Sequence, residues 1–366
     1  MDLLRVLVVD DTIIYRKIIG DVLKEIPGIE VVGVAHNGKI ALSKIKTLKP
    51  DLVTLDIEMP EMSGIEVLEA IRTFTDAPGV IMLSTLTHRG SEMTIKALEL
   101  GAFDFIGKPD SGTMAENLVK VRKALEPIIA AFKRHRQIQT GLKQRAPHRV
   151  TPPLPGAFAP KIPSPPPYVR QRTTPSAIVA IGISTGGPNA LAKMMPRLKP
   201  ELNVPILVVQ HMPPLFTASL AKSLNAKCSL LVKEAVNGEA LMPNTVYIAP
   251  GGLQMKIVAG PDGQSRNIRI TDDPPENSCR PSVDYLFRSI AEHYVGRATA
   301  VIMTGMGSDG TRGLALMKKN GAIIIAQDKE SCTVYGMPKE PIESGLADIV
   351  APLDKIADRI TKTVIR

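Results

Sequence analysis

No apolar run in this 366-residue chain approaches the roughly 20 residues that a membrane-spanning helix needs, so a helical membrane protein is not expected. The opening MDLLRVLVVDD lacks the basic start of a secretory leader. A cytoplasmic location is therefore the expectation. Cysteine is scarce: Cys228, Cys279 and Cys332 are far apart, with no CxxC pair. Neither a disulfide framework nor a zinc site is implied, and three free thiols are expected. Acidic residues are missing from Pro127 to Pro200, whereas nine Lys and Arg fall between Lys133 and Arg172. The net charge of the whole chain is +9, so the remainder balances. Basicity confined to one segment argues against a folded nucleic-acid face, and no nucleic-acid partner is expected. The same segment holds nine prolines between Pro147 and Pro167. Such a composition cannot bury a core and reads as an extended spacer, or as a weak attractor for an acidic surface.

What is present suggests two folded parts. With 44% hydrophobic residues the chain can build full cores. The expected division is residues 1–126, a basic proline-rich linker at 127–175, and residues 176–366. In the first part, LLRVLVVD, IEVVGVA, DLVTLD, GVIMLST and AFDFIGK alternate with helical patterns. Near-continuous β-branched runs between helices predict an α/β fold with a parallel sheet covered on both faces, doubly wound and flavodoxin-like. Asp10 and Asp11, Asp56, Ser84 and Lys108 then fall at the carboxyl ends of strands, where such sheets gather ligand groups. Clustered carboxylates repel unless a cation sits among them, and oxygen ligands of this kind suit Mg²⁺. A metal, an ammonium and a hydroxyl around one carboxylate also suit phosphoryl transfer to it. Each Asp taken singly could be only a helix cap.

Here VLVVDD, LVTLDIEMPEMSGIEVL, IMLSTLT and DFIGKP resemble response-regulator receiver domains over about 125 residues. The resemblance implies phosphorylation at Asp56. It places Mg²⁺ among Asp10, Asp11, Asp56 and the backbone carbonyl of Glu58. It also makes Ser84, Phe105 and Lys108 the switch residues, with Phe where many receivers carry Tyr.

The second part reads as another α/β unit, with AIVAIGIS, PILVVQHM, TVYIAP, IRIT, TAVIMTG and GAIIIAQD as strands. Pro261-Asp262-Gly263 marks a hairpin, so a mixed sheet is possible. Three strands end in unusual loops: Gly182-Ile183-Ser184-Thr185-Gly186-Gly187-Pro188, Gln210-His211-Met212-Pro213 and Thr304-Gly305-Met306-Gly307-Ser308-Asp309-Gly310. Parallel strands can bring Ser184, His211 and Asp309 together. A serine hydroxyl needs a base, and the base needs a carboxylate to orient it. Ser184 sits in a G-x-S-x-G match, although the order Ser, His, Asp departs from α/β-hydrolases. A phosphate-binding loop is the rival reading of GISTGGP, but it lacks a Walker lysine and the G-x-G-x-x-G spacing.

AIGISTGGPNAL, VVQHMPPLFTASLA, CRPSVDYLF, MTGMGSDGTRGL and AQDKESCTVYGMPKE resemble the catalytic domain of the CheB methylesterase family. That resemblance implies Ser184 as nucleophile, His211 as base, Asp309 as orienting carboxylate, and Thr185, Gly186 and Met306 as supports for substrate or oxyanion. It implies hydrolysis of glutamate γ-methyl esters on the cytoplasmic helices of methyl-accepting chemoreceptors, with deamidation of receptor glutamines. The CheA histidine kinase would be the phosphodonor, and membranes would be met only through receptors. Mg²⁺ would serve the receiver and no cofactor the esterase. A receiver-controlled transcription factor would need a basic recognition helix, which 176–366 does not show. A non-catalytic adaptor would be expected to lose one of the three catalytic side chains.

Overall fold

The computed structural model describes residues 3–144 and 174–365. Residues 145–173 of the spacer expected at 127–175, with its prolines, lie outside the described residues. The first unit runs β1 (Leu4–Val9), α1 (Ile13–Glu25), β2 (Ile29–Ala35), α2 (Gly38–Leu48), β3 (Leu52–Asp56), α3 (Gly64–Ile71), β4 (Gly79–Ser84), α4 (His88–Glu99), β5 (Asp104–Gly107) and α5 (Met114–Gln144). Its sheet has the order β2-β1-β3-β4-β5, with every pair parallel. That order is the flavodoxin-like one. Helices cover both faces, which is why Leu52, Val53 and Leu55 of β3 are all fully buried. Side chains cap the helix starts: Asn37 accepts from Ile40, Ser63 and Glu66 form a capping box, and Thr87 accepts from Gly90.

The boundary expected at 126 falls inside a helix. α5 continues through Pro127 to Gln144. A proline inside a helix costs about 3 kcal/mol. Ile128, Ile129, Ala131 and Phe132 are buried beyond it, and each large apolar side chain contributes about 1.5–3 kcal/mol. Burial therefore outweighs the proline. Three of the basic residues that suggested a spacer, Lys133, Arg134 and Arg136, lie on the described part of this helix. Lys133 donates to the Pro27 carbonyl at 2.8 Å and Arg136 pairs with Asp51 at 2.6 Å.

The second unit runs β6 (Ile178–Ile183), α6 (Gly187–Met194), β7 (Ile206–Gln210), α7 (Phe216–Asn225), β8 (Leu231–Glu234), β9 (Thr245–Ile248), β10 (Gln254–Ala259), β11 (Arg266–Thr271), α8 (Val283–His293), β12 (Ala298–Ile302), α9 (Thr311–Lys319), β13 (Ile323–Gln327), α10 (Lys339–Glu343), β14 (Ile349–Ala351) and α11 (Leu353–Val364). Seven parallel strands follow the order β14-β13-β12-β6-β7-β9-β8. The predicted hairpin is β10–β11. It forms its own antiparallel sheet, so the main sheet is not mixed. From β6 the chain winds first toward β8 and later, from β12, toward β14. The switch point lies between β6 and β12, where ligand sites of such sheets form.

The two units are in contact. Ser91 of α4 bonds Ser219 of α7 at 2.7 Å, Glu92 pairs with Lys222 at 2.7 Å, and the Phe105 and Phe216 rings lie 4.6 Å apart.

Candidate active site

Ser184 follows β6 at the switch point. Its N–H donates to the Thr304 carbonyl at 3.0 Å, and its own carbonyl accepts from Gly187 at 2.7 Å, closing a tight turn. Gly186 has φ +79°, and a Cβ there would lie 2.4 Å from the Thr333 side chain. A Cβ on Gly187 would lie 1.8 Å from Gln210. Both glycines of the motif therefore serve close approach. Pro188 then opens α6.

His211 comes beside Ser184 through strand register. Ile183 pairs with Gln210, and His211 N–H donates to the Ile183 carbonyl at 3.2 Å. Its Nε2 lies 2.8 Å from Asp309 Oδ2, and its Nδ1 lies 3.7 Å from Cys279 Sγ. His211 is not hydrogen-bonded to Ser184 in this arrangement; both ring nitrogens face other partners. The Asp309 carboxylate accepts four further bonds. Asn277 Nδ2 and Ser282 Oγ each donate at 2.9 Å, the Asp284 N–H at 3.2 Å and the Val283 N–H at 2.6 Å. The two backbone donors are the free N-terminus of α8, whose partial positive charge favours a carboxylate.

The electrostatics follow from those contacts. Burial alone would raise the Asp309 pKa, but His211 and the surrounding donors bring it down to about 2. Burial works against charge on His211, yet Asp309 and then Cys279 push it up to about 9. The pair is held as carboxylate and imidazolium.

Three residues here carried no role in the sequence reading. Gln210 braces the site from below, donating to the Ser184 and His211 carbonyls at 3.0 and 3.2 Å. Asn277 joins Asp309 to Asp284, giving one amide hydrogen to each at 2.9 Å. Cys279 faces the imidazole. Asn277 lies two residues before CRPSVDYLF and Cys279 is its first residue, on a loop that no strand end marks, so spacing could not single them out.

Thr185 turns toward the first unit, and its hydroxyl donates to Asp104 Oδ2 at 2.8 Å. Burial raises the Asp104 pKa to about 6, against the bonds from Thr185 and the Phe105 N–H. Met306 packs against the apolar cluster that contains Ile128 and Phe132 of α5. Among the described residues its N–H has no acceptor.

At the far edge of the first sheet, Lys108 Nζ lies 2.7 Å from both Asp10 Oδ2 and Asp56 Oδ2. Burial works against the Lys108 charge, but Asp56 and Asp10 outweigh it and raise its pKa. Burial raises Asp10, and Asp56 to about 6, against the opposing pull of Lys108. Carboxylate oxygens of Asp10, Asp11 and Asp56 lie within 4.8 Å of one another. Three carboxylates against one ammonium leave an excess of negative oxygen, which fits a hard divalent cation. Arg16 holds the loop from beneath, donating to the Asp10 and Asp11 carbonyls at 2.6 and 2.8 Å. Glu58 turns its side chain outward, 3.8 Å from Arg89. The Ser84 hydroxyl is not joined to this group. It accepts from Thr94 at 2.7 Å and lies 3.3 Å from the Gly90 carbonyl. Phe105 is instead packed on Phe216 of the other unit.

No helix of the described residues is long and apolar enough to cross a membrane. Residues 6–119 match the response regulator receiver domain family, and residues 179–360 match the CheB methylesterase family. A protein of Desulfotalea psychrophila named protein-glutamate methylesterase/protein-glutamine glutaminase is 58% identical over 99% of this chain and 98% of its own length. One of the same name from Bacillus subtilis is 45% identical over 99% of both. The crystal structure of the Thermotoga maritima CheB methylesterase catalytic domain superposes with a TM-score of 0.50 at 44% identity, covering 52% of this chain and 99% of that one. The chain therefore belongs to the protein-glutamate methylesterase/protein-glutamine glutaminase family, with a receiver domain ahead of a CheB methylesterase domain.

Proposed function

We propose that this protein removes methyl groups from glutamate γ-methyl esters of chemoreceptors, releases methanol, and deamidates particular receptor glutamines under control of receiver phosphorylation. The observation that carries this reading is the His211–Asp309 bond of 2.8 Å set beside Ser184 on the next strand. Ser184 Oγ attacks the ester carbonyl carbon while its proton passes to His211 Nδ1. Asp309 holds the opposite nitrogen and stabilises the imidazolium. The Met306 N–H and the α6 turn at Thr185 and Gly186 offer donors to the oxyanion. The tetrahedral adduct collapses, and methanol leaves with the proton from Nδ1. Water then attacks the acyl-enzyme, gives a proton to Nδ1, and restores Ser184. With a glutamine the same steps release ammonia.

In the receiver, Asp56 is the proposed phosphoacceptor, with a CheA-type histidine kinase as donor. Asp10, Asp11, Asp56 and the Glu58 carbonyl would hold Mg²⁺, which neutralises phosphoryl oxygens when bound. Lys108 balances charge from the other side. For Ser84 to reach the phosphoryl group it must leave Thr94, which is a physical basis for a switch. The contacts from Asp104 to Thr185 and from α5 to Met306 support an unphosphorylated receiver that covers the catalytic rim. The division proposed is a receiver followed by a linker and a catalytic domain in the cytoplasm, with α5 reaching into the segment read as linker.

The test is methanol release from methyl-labelled receptor membranes, with and without a small-molecule phosphodonor. Release should rise with the donor and vanish in S184A, while the thermal unfolding of S184A stays that of the parent. Near-full release by S184A rejects the triad.

A further inference from the structure

The proposed reaction gives Cys279 no task, although its thiol lies beside the catalytic imidazole. The Sγ is 3.7 Å from His211 Nδ1 and 3.5 Å from the Asn277 carbonyl. A tetrahedral zinc ion, with Zn–N of about 2.1 Å and Zn–S of about 2.3 Å, holds its nitrogen and sulfur ligands about 3.6 Å apart. The pair is therefore spaced as two ligands of one ion. Its surroundings are arranged in the same sense. A metal-binding histidine ordinarily gives its other ring N–H to a carboxylate, and His211 Nε2 lies 2.8 Å from Asp309 Oδ2. Asp309 spends its oxygens on five donors, so it orients the ring and offers no oxygen to an ion. The backbone of Cys279 is pinned as well. Its N–H donates to the Glu276 carbonyl at 2.8 Å, and its carbonyl accepts from the Glu276 N–H at 3.1 Å and from Gln254 Nε2 at 3.4 Å. The two side chains are 68 positions apart in sequence, which is why the lack of a CxxC pair said nothing about them.

We propose that His211 Nδ1 and Cys279 Sγ form an inhibitory site for a thiolate-seeking divalent cation such as zinc. The proposal rests on the hydrolase reading above and adds a regulator of the same site. A neutral imidazole with its Nε2–H on Asp309 has one lone pair, at Nδ1, and that pair is the one that takes the Ser184 proton. An ion seated on it removes the base. Binding releases the thiol proton, and the Nδ1 proton where the ring is charged, and changes no oxidation state. Two protein ligands leave the remaining positions to water, so the ion exchanges. Cys279 is half-buried, and His211 and Ser184 line a cavity of about 290 Å³ with room for an ion and its waters. Magnesium prefers oxygen ligands and leaves a thiolate–imidazole pair alone. The chain thus sorts two classes of cation, one at the carboxylates of the first sheet and one at the catalytic base.

The test uses the full-length chain, activated by the phosphodonor in excess Mg²⁺, with zinc chloride titrated into the methanol assay. The parent should be inhibited, and chelating the zinc while Mg²⁺ stays in excess should restore its rate. C279A and C279S, each compared with its own zinc-free rate, should need about tenfold or more zinc for half-inhibition. Co²⁺ reports binding without activity. A thiolate-to-cobalt charge-transfer band in the near ultraviolet should form on the parent and on S184A and be missing from C279S. Equal zinc sensitivity of parent and Cys279 variants, a cobalt band that persists in C279S, or no band on the parent overturns the site. So does an active parent that zinc leaves uninhibited, and in that case the hydrolase reading stands. If the parent releases no methanol even without zinc, the hydrolase reading falls and the inhibitory role falls with it, whatever the cobalt band shows.

Discussion

Asp309 accepts five hydrogen bonds and His211 stands between two partners, so single side chains set the protonation of the site. Only neutral imidazole can take the serine proton. With His211 raised from 6.5 to about 9, the neutral fraction falls as pH drops below that value. Esterase activity should therefore keep rising with pH beyond neutrality, and C279A should move the acid limb to lower pH; the pH dependence of kcat/KM measures both. The same shifts bear on stability. His211 is raised on folding, so its share is fully present below 6.5 and is lost as pH rises through about 9. Asp309 is lowered, so its share is present above 3.8 and is lost as pH falls toward about 2. Asn277 holds the Asp309 carboxylate in place. A hydrogen bond to a charged group is worth about 1.5–3 kcal/mol, so N277A should lower kcat about tenfold or more, and steady-state kinetics with receptor ester would show it. An unchanged kcat would make Asn277 only a loop residue.

At the scale of elements, the proposed control lies where β5 and α5 meet the loop after β6. Asp104 at the start of β5 takes the Thr185 hydroxyl, and burial raises its pKa. D104A removes this contact without touching Ser184, His211 or Asp309. The unphosphorylated rate should rise about two- to tenfold, the worth of one ordinary hydrogen bond of about 0.5–1.5 kcal/mol, and the phosphorylated rate should stay the same. A docked Asp104 holds its proton up to about 6, against 3.8 in water. The turn into α6 is less forgiving. Gly186 needs both a left-handed backbone and open space beside Thr333, so G186A should lose activity and stability together.

At the scale of the whole molecule, two sheets each place their polar groups at carboxyl ends, and the interface joins Phe105 to Phe216 and Asp104 to Thr185. A fragment of residues 176–366 should be more active than the unphosphorylated full chain in the methanol assay. Equal rates would argue against occlusion.

Strand runs and loop motifs were enough to place Asp10, Asp56 and Lys108 at one sheet edge, and Ser184, His211 and Asp309 at another. Local sequence decides which strands end in carboxylates, glycines or hydroxyls, and parallel pairing then aligns those ends. What spacing could not show is long-range. Asn277 and Cys279 reach the site from a loop with no periodic pattern. Ser84 turns to Thr94 because α4 packs there. α5 persists through Pro127 and a basic, acid-free stretch because Phe132 packs on Phe103 of its own unit and the same apolar cluster takes in Met306 and Val334 of the other. Composition describes a segment alone in water, whereas that helix exists through contacts with residues distant in the chain, such as Pro27, Phe103 and Val334. The sequence by itself determined the chemical groups and the edges that carry them; only the tertiary packing decided which of those groups face each other and which are held apart.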